Sequence, residues 1–386
     1  MKTTHAHDSN AVPYWGEMLD CDGHLYLEPK LLMELVGKSG GGLILDFLEG
    51  FVGSEEDVKN RKRNREEVFS VKGISALGAC DPHERVEALD LMGIQAQFLF
   101  PNTTEWEVRV DSDEAREACR RYNDYCIDWS AQTKGRGRAV GEVNMTQLDW
   151  ALKELRRVLD RGMKGVTLSS ASPPAGVSPA HAMWDPFWRM LEEAKVPAFL
   201  HLGTGGIVTT TPEDPMFVPR GFGNATDLKG RTFSHRPGGE ESIGPFFFLN
   251  AHVSCEVWVQ CMVMGRVFER FPALNFGVIE CGASWVGPMC DRMDQFASVM
   301  ARVGNVYSMK PSEFVRRNVR VTPFVHEDLT KLVTAYGLPE VYVYNTDYPH
   351  IEGGRDPIGK FSHHTRALGG AFAKQFFRDN AKQLFS

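Results

Sequence analysis

An apolar run that ends in two side chains able to bind a metal stands at Leu19-Asp20-Cys21-Asp22-Gly23-His24. Residues two apart in a β-strand project to the same side. If a strand covers 18–22, Asp22 and His24 therefore project together from its C-terminal end. A carboxylate and an imidazole at this spacing are half of a site for zinc, iron or manganese. The pair also occurs in many loops, so its meaning depends on the rest of the chain.

Seven further apolar segments alternate with helical patterns after residue 81. Alternating strands and helices imply a parallel sheet. Eight such units in 386 residues predict an α/β fold, a (β/α)8 TIM barrel, with its active site at the C-terminal ends of the strands. The seven later strands are predicted at 97–101, 139–144, 165–169, 198–202, 275–280, 319–322 and 341–345.

Two long irregular segments interrupt this alternation. Residues 28–81, Gly-rich and then charged, predict an insertion after strand 1. Residues 203–244, rich in Gly, Thr and Pro, predict a lid loop after strand 5, because so long a loop in a compact enzyme is usually functional. The polar residues 1–16 predict a flexible leader, which leaves 17–386 as a single barrel domain.

Composition restricts the class of protein. The 42% hydrophobic and 24% charged residues are typical of a globular enzyme, and a net charge of −7 argues against a nucleic-acid-binding surface. The eight cysteines form no C-x-x-C pair, which favours reduced thiols in a cytoplasm. No segment reaches the roughly 18 apolar residues that span a bilayer. We therefore expect a cytoplasmic enzyme that binds neither nucleic acid nor membrane.

Ionisable side chains stand at four of the predicted strand ends. Strand 1 ends in Asp22 and His24, strand 5 in His201, strand 6 in Glu280 and strand 8 in Asp347. Barrel strands are normally apolar, so ionisable side chains at four strand ends are not expected from composition alone. Two imidazoles and three carboxylates match the ligand set of a divalent metal. Taken alone, His201 is equally well interpreted as a hydrogen-bonded core histidine.

Two further residues are candidates with an ordinary alternative each. Asp46 interrupts an apolar run in the insertion and is either a turn residue or an extra metal ligand. His252 stands at the start of the long helix before strand 6. It is either a helix-start histidine bonded to backbone or a general acid, oxyanion partner or ligand. The full set of candidate metal ligands is Asp22, His24, Asp46, His201, His252, Glu280 and Asp347.

Several motifs carry a resemblance to a known family. They are Asp20-Cys21-Asp22-Gly23-His24, His201-Leu202-Gly203, 267–272, 280–285, Asp347-Tyr348-Pro349-His350 and Asn380-Ala381. The chain resembles the amidohydrolase superfamily, in the branch that also contains aminocarboxymuconate-semialdehyde and resorcylate decarboxylases. The resemblance implies a metal-dependent barrel enzyme, often dimeric, with Asp22, His24, His201 and Asp347 contacting one or two ions of zinc, iron or manganese.

Two departures from the family pattern bear on the reaction. The decarboxylases of this branch have a catalytic His where Glu280 stands, which argues against decarboxylation. Binuclear members often use a modified Lys at the end of strand 4. Here strand 4 ends in 167–169, and Lys164 lies at its start, at the end of the barrel away from the active site. The usual lysine-bridged site for two metals is therefore not expected.

We therefore expect hydrolysis of an ester, amide or thioester by a metal-activated water. Asp347 would accept the proton of that water, with support from His252 or Glu280. Phenylalanines in or beside the lid predict a partly apolar substrate: Phe217, Phe222, Phe233 and 246–248.

Three alternatives remain open. The scaffold is similar to a binuclear non-haem iron hydroxylase of platensimycin-type diterpenoid biosynthesis, which makes a monooxygenase acting on a coenzyme A thioester the first of them. A metal-dependent decarboxylase is the second, and a non-catalytic binding protein is the third. For each enzyme class we expect a small-molecule substrate and a homodimer.

Overall fold

The computed structural model describes residues 14–36, 48–102, 107–202, 222, 225–227, 245–351 and 353–386. Within these ranges, nine short strands alternate with helices. The strands are Met18–Asp20 (β1), His24–Leu25 (β2), Ile94–Pro101 (β3), Gly137–Ala139 (β4), Gly141–Glu142 (β5), Val166–Thr167 (β6), Ala198–His201 (β7), Phe276–Ile279 (β8) and Val319–Val321 (β9).

Fourteen α-helices lie between and after the strands in the described ranges. They are Pro29–Val36 (α1), Glu55–Arg63 (α2), Pro82–Met92 (α3), Asp113–Gln132 (α4), Leu148–Asp160 (α5), Asp185–Ala194 (α6), Pro245–Asn250 (α7), Val253–Met264 (α8), Val267–Arg270 (α9), Val286–Ala301 (α10), Pro311–Asn318 (α11), Leu329–Tyr336 (α12), Pro357–Leu368 (α13) and Gly370–Lys374 (α14). None of these helices has the length and apolar character needed to cross a membrane.

Parallel pairing closes the strands into a barrel. Strand β3 pairs with β1, β2 and β4, and β5 to β9 pair in sequence order. Strands β4 and β5 form one barrel strand, since the N–H of Val140 between them donates to Leu99 O at 2.9 Å. Segment 341–345 closes the circle: Val343 N donates to Val321 O, and Cys21 N donates to Tyr344 O. The prediction of a (β/α)8 barrel is confirmed.

The boundaries of α3 illustrate how the sequence sets these elements. The Asp81 carboxylate accepts hydrogen bonds from the N–H groups of His83 and Glu84, both at 2.8 Å, and Pro82 occupies the first turn. Gly93 ends the helix with φ +70°, a conformation that favours glycine. The chain therefore enters β3 directly at Ile94.

The interior of the barrel is filled with aromatic side chains. Phe199 packs with Phe98 and Phe100 at ring-centroid distances of 4.9 and 5.2 Å, and Phe385 packs on Phe98 from the N-terminal end. A Cβ at Gly277 would lie 2.4 Å from the Phe199 ring, so glycine there makes room for this packing. Because the interior is packed, any open space for a ligand lies at the C-terminal end of the strands.

The predicted insertion contains α1 and α2, and its second half is fixed by a buried carboxylate. Asp57 accepts hydrogen bonds from Ser75 Oγ at 2.6 Å, Gly53 N at 2.8 Å and Arg61 Nε at 2.8 Å. At the other boundary, Gly16 N donates to Gly93 O at 2.7 Å. Most of the predicted leader and of the predicted lid at 203–244 lies outside the described residues.

Candidate metal centre

Five of the predicted ligands meet at the C-terminal mouth of the barrel. They come from the first strand and the ends of β7, β8 and segment 341–345, and all are buried. Parallel strands bring their C-terminal ends to one edge, which explains why residues so distant in sequence converge. The five residues are Asp22, His24, His201, Glu280 and Asp347.

Four of these side chains form a first ligand group. His201 Nε2 lies 3.5 Å from Asp22 Oδ1 and 3.2 Å from Glu280 Oε2. His24 Nε2 lies 3.6 Å from Asp22 Oδ1 and 3.5 Å from Glu280 Oε2. One ligand atom from each residue lies within 4.8 Å of all the others, close enough to hold one ion.

A second, overlapping group contains a histidine that the predicted ligand set omitted. His24, Glu280, Asp347 and His350 also offer ligand atoms within 4.8 Å of one another. Asp347 Oδ1 lies 3.1 Å from His350 Nδ1 and 3.2 Å from His24 Nε2. The rings of His24 and His350 stack with centroids 3.5 Å apart. The motif Asp347-Tyr348-Pro349-His350 was the signal for it, since i and i+3 positions meet in a tight turn.

Two of the carboxylates sit on left-handed backbone. Glu280 has φ +59° and Asp347 has φ +50°, a region that non-glycine residues rarely adopt. Hydrogen bonds hold both turns: Glu280 N donates to Thr322 Oγ1 at 2.8 Å, and Asp347 N donates to Asp22 O at 2.9 Å. Such backbone strain clusters at functional sites and costs about 1–3 kcal/mol per residue.

A buried polar network beneath the mouth orients the first strand. The Asp20 carboxylate accepts hydrogen bonds from Thr346 Oγ1 at 2.6 Å, Gln97 Nε2 at 2.7 Å and Asp22 N at 3.0 Å. A Cβ at Gly23 would lie 2.4 Å from Gln97 Nε2, so only glycine fits between the two ligands of this strand. The network therefore joins β1, β3 and the turn that follows segment 341–345, directly below the site.

Arg85 supports the same region from helix α3. It is fully buried and donates to Gly78 O at 2.7 Å, Gln97 Oε1 at 2.9 Å and His24 O at 2.7 Å. Burial lowers the pKa of Arg85 to about 10, which leaves it charged at neutral pH. The backbone that carries His24 is therefore held by a charged hydrogen bond.

The electrostatics of the site favour neutral imidazoles at His24 and His201 and shift the carboxyl pKa values of Asp347 and Asp22 in opposite directions. Burial, reinforced by His350, lowers the pKa of His24 to about 3, and burial with the nearby His24 lowers the pKa of His201. Burial raises the pKa of Asp347, but the charge of His350 and the hydrogen bond with His24 outweigh it and lower the pKa overall. Burial, together with Asp347 and Asp20, raises the pKa of Asp22. Neutral imidazoles can act as metal ligands.

The residues fit a divalent metal. Both carboxylate oxygens of Asp22 are buried and make no hydrogen bond within the part of the chain that the structure describes. Buried carboxylate oxygens without a partner are costly, and a cation among them removes that cost. Mixed imidazole and carboxylate donors suit zinc, iron and manganese. The predicted site for a divalent metal is therefore present.

Two predicted candidates are not in either ligand group. Asp46 lies outside the described residues. His252 lies just before α8, with Nε2 at 3.9 Å from Glu256 Oε2 and its ring stacked on Trp285 at 6.2 Å. These contacts are with Glu256 and Trp285, and the structure does not include His252 in either group of possible metal ligands.

A small pocket opens beside the metal ligands. The lining of this pocket combines the carboxylates of Asp22, Glu280 and Asp347 with residues that are mainly apolar. The remaining lining residues are Pro323, Phe324, Val325, Asn345 and Gly353.

Fold and site together define a (β/α)8 barrel with a buried metal-ligand cluster at its C-terminal mouth. A family model described as amidohydrolase matches residues 101–386. The chain belongs to this amidohydrolase family.

Curated and solved relatives extend the comparison. A gamma-resorcylate decarboxylase of Polaromonas sp. (strain JS666 / ATCC BAA-500) is 30% identical over 122 residues, which cover 30% of this chain and 37% of that protein. The crystal structure of an amidohydrolase from Mycobacterium avium subsp. paratuberculosis K-10 matches with a TM-score of 0.65 and 19% identity, over 96% of this chain and 99% of the other.

A solved decarboxylase has the same fold. The crystal structure of a dihydroxybenzoic acid decarboxylase from Polaromonas sp. JS666, with bound manganese and the inhibitor 2-nitroresorcinol, matches with a TM-score of 0.61 and 19% identity, over 96% of each chain. The curated relatives are gamma-resorcylate decarboxylases and this solved structure is also a decarboxylase, so the prediction of a hydrolase is wrong. The comparisons do not support the monooxygenase alternative either. Enzymes that catalyse different reactions have the same kind of metal ligands at their strand ends, so the ligands alone do not identify the reaction.

Proposed function

We propose that the chain is a metal-dependent decarboxylase of a small aromatic carboxylate. The observation that carries the proposal is the buried cluster of carboxylates and histidines beside a pocket with an apolar wall. The partial sequence match to gamma-resorcylate decarboxylases supports the same reaction class, although it spans only 37% of their length. The predicted homodimer and coenzyme A thioester remain predictions.

The pocket supports an aromatic substrate. Phe324, Pro323 and Val325 line the pocket together with the three carboxylates. An aromatic ring gains from burial against such apolar side chains, while its carboxylate needs positive charge nearby. This mixed lining suits an aromatic acid bound beside a cation.

Asp22, His24 and His201 would hold the ion, with Glu280 as a further ligand. A bound divalent metal supplies positive charge that binds and polarises the oxygens of the substrate. The hydrogen bonds of Asp20 and Arg85 keep the ligand-bearing strand in place, so that little reorganisation is needed when substrate arrives.

Asp347 is the group we assign to proton transfer. Decarboxylation breaks the bond between the ring and the carboxylate, releases CO2 and requires one proton at the ring carbon. Asp347 lines the pocket beside the candidate metal ligands, where its carboxyl group would pass a proton from water to the ring carbon. Glu280 stands where related decarboxylases have His, and we assign it to metal binding.

The test compares metal-free and reconstituted protein. Protein stripped by chelation and reloaded with manganese is incubated with 2,6-dihydroxybenzoate or 5-carboxyvanillate, and CO2 release is measured. We expect release only after reloading, and an Asp347→Asn variant that binds manganese but releases CO2 at least about 100-fold more slowly. Asp90→Asn, which changes an exposed carboxylate, is the matched control. Full turnover by Asp347→Asn, or turnover without metal, would contradict the proposal.

A further inference from the structure

One carboxylate joins two of the loops beside the pocket. Glu327 Oε2 accepts hydrogen bonds from Ala283 N and Phe324 N, both at 2.8 Å. Glu327 Oε1 accepts one from Ser284 N at 2.9 Å. Ala283 and Ser284 belong to the loop that follows β8, whereas Phe324 belongs to the loop that follows β9. Hydrogen bonds to a carboxylate are stronger than those between neutral groups, so Glu327 fixes the two loops relative to each other.

These hydrogen bonds are not needed to start the neighbouring helix. Helix α12 is capped by Asp328, whose carboxylate accepts a hydrogen bond from Lys331 N at 3.0 Å. Glu327 instead turns back to its own loop. Its N–H donates to Phe324 O at 3.0 Å, while its carboxylate accepts from Phe324 N. Two hydrogen bonds in opposite directions close this turn and fix the backbone of Phe324.

The ring of Phe324 is fitted to the loop after β8. A Cβ at Gly282 would lie 2.8 Å from Cδ2 of the ring, and Gly282 has φ +63°. Glycine at this position therefore lets the ring approach the backbone of that loop. The ring of His326 stacks on the Phe324 ring, with centroids 5.3 Å apart and 11° between the planes. Both the backbone and the ring of Phe324 thus have defined positions.

This ordered segment forms part of the pocket. Phe324 lines the pocket together with its neighbours Pro323 and Val325. The start of the segment is held by Asn345, whose Nδ2 donates to Pro323 O at 2.9 Å, and its end is held by Glu327. Ordering side chains and loops during binding costs affinity, and a lining that is ordered beforehand avoids that cost.

We propose that Glu327 is a positioning residue that holds Phe324 in the pocket lining, so that an aromatic acid binds without first ordering the loop. The inference deepens the proposed function and rests on it for the identity of the ligand. Glu327 acts through Phe324 and not by contact with the substrate. Such an effect supports the bound substrate and the transition state equally, so its loss raises KM and leaves kcat nearly unchanged.

The first test is Glu327→Gln. The variant keeps the size of the side chain and replaces one acceptor oxygen with an NH2 group, so either Ser284 N or Phe324 N loses its acceptor. With manganese-loaded protein and 2,6-dihydroxybenzoate, we expect KM to rise about fivefold or more, while kcat changes by less than about twofold. Manganese affinity should not change. An unchanged KM, or a loss confined to kcat, would overturn the proposal.

Glu313→Gln is the matched control. The Glu313 carboxylate also accepts a hydrogen bond from a backbone N–H, that of Lys310 at 2.8 Å, but it stands at the start of α11. The substitution removes the same charge and the same kind of acceptor. We expect KM and kcat of this variant to equal those of the parent protein.

A double variant separates positioning from a general structural role. If Glu327 acts through the ring of Phe324, adding Glu327→Gln to Phe324→Leu should change KM by less than about twofold. Effects of the two substitutions that multiply in full would overturn the proposal. Gly282→Ala displaces the ring by another route, since its Cβ would meet Cδ2, and should raise KM even if Glu327→Gln does not fold.

Amide hydrogen exchange gives a readout without substrate. Mass spectrometry on peptides that cover 281–285 and 322–326 should show exchange at least about tenfold faster in Glu327→Gln than in Glu313→Gln, because protected N–H groups lose their acceptor. Faster exchange, in a protein that decarboxylates no aromatic acid, would overturn the proposed function alone. Decarboxylation with unchanged exchange and unchanged KM would overturn the role of Glu327 alone.

Discussion

Arg85 donates a hydrogen bond from Nη2 to the backbone carbonyl oxygen of His24 at 2.7 Å. Both residues are fully buried, and the same guanidinium group also contacts the ring of Tyr348, whose centroid is 5.2 Å from Cζ. Tyr348 lies between Asp347 and His350 in sequence. One buried cation therefore contacts both the His24 segment and the Tyr348 segment, which are neighbours in the closed barrel.

Arg85→Met should lower the free energy of unfolding of the metal-free protein by about 3 kcal/mol or more, because three buried acceptors lose their donor. Manganese affinity should fall about 10–100-fold, as expected for an outer-sphere partner. Urea denaturation and calorimetry measure the two effects. Arg65→Met, at an exposed pair with Glu87, should change stability by less than about 0.5 kcal/mol. Equal effects at both positions would refute this role of Arg85.

Asp22→Asn should separate metal binding from stability. The Asp22 carboxylate is buried near two others, and its raised pKa shows that its charge is unfavourable without metal. We expect the metal-free variant to be at least as stable as the parent, while manganese no longer raises its melting temperature. Thermal denaturation with and without manganese tests this. A variant that is less stable without metal but still stabilised by manganese would show that Asp22 is structural.

Phe324→Leu should weaken substrate binding if the apolar wall holds an aromatic ring. Replacing the ring with an aliphatic side chain removes about 1 kcal/mol of aromatic contact, or roughly fivefold in KM. Steady-state kinetics with an aromatic acid separate KM from kcat, and metal content should not change. Phe296→Leu, at an exposed position on α10, is the control. No difference between the two variants would place the substrate elsewhere.

Asp57 should make the stability of the insertion depend on pH. Burial raises its pKa, but hydrogen bonds from Ser75 and Gly53 and the charge of Arg61 outweigh burial and hold the pKa below the ordinary 3.8. Its stabilising contribution is therefore complete above about pH 4 and is lost as the pH falls through the folded-state pKa. Asp57→Asn should cost about 1–2 kcal/mol at pH 7 and progressively less below pH 4. A pH-independent difference in urea denaturation would contradict this.

The sequence predicted that the ionisable side chains at the strand ends lie together, but it did not place His350 among them. Asp22, His201 and Glu280 could be located because strand period and barrel geometry together fix where such residues point. His350 could not, because its direction depends on the left-handed backbone of Asp347 and on Asn102 from another strand end. These are tertiary contacts with no local pattern.

The error about the reaction has a different origin. Five of the seven predicted ligand residues lie together, but the same donors can support hydrolysis, decarboxylation or oxygen chemistry. His252 was a candidate because it stands at the start of the long helix before strand 6. The contacts of its ring with Glu256 and Trp285 depend on helix register, which sequence periodicity does not fix to within one residue.

The hydrogen bond from Thr346 to Asp20 joins residues 326 positions apart. The candidate ligands above it are spread along the chain in the same way, from Asp22 to Asp347. A nascent chain leaving the ribosome therefore carries Asp22, His24, His201 and Glu280 before the eighth strand emerges. The hydrogen bonds that hold Asp20 to Thr346, and with them the position of the first strand, can form only after the last strand of the barrel has been synthesised.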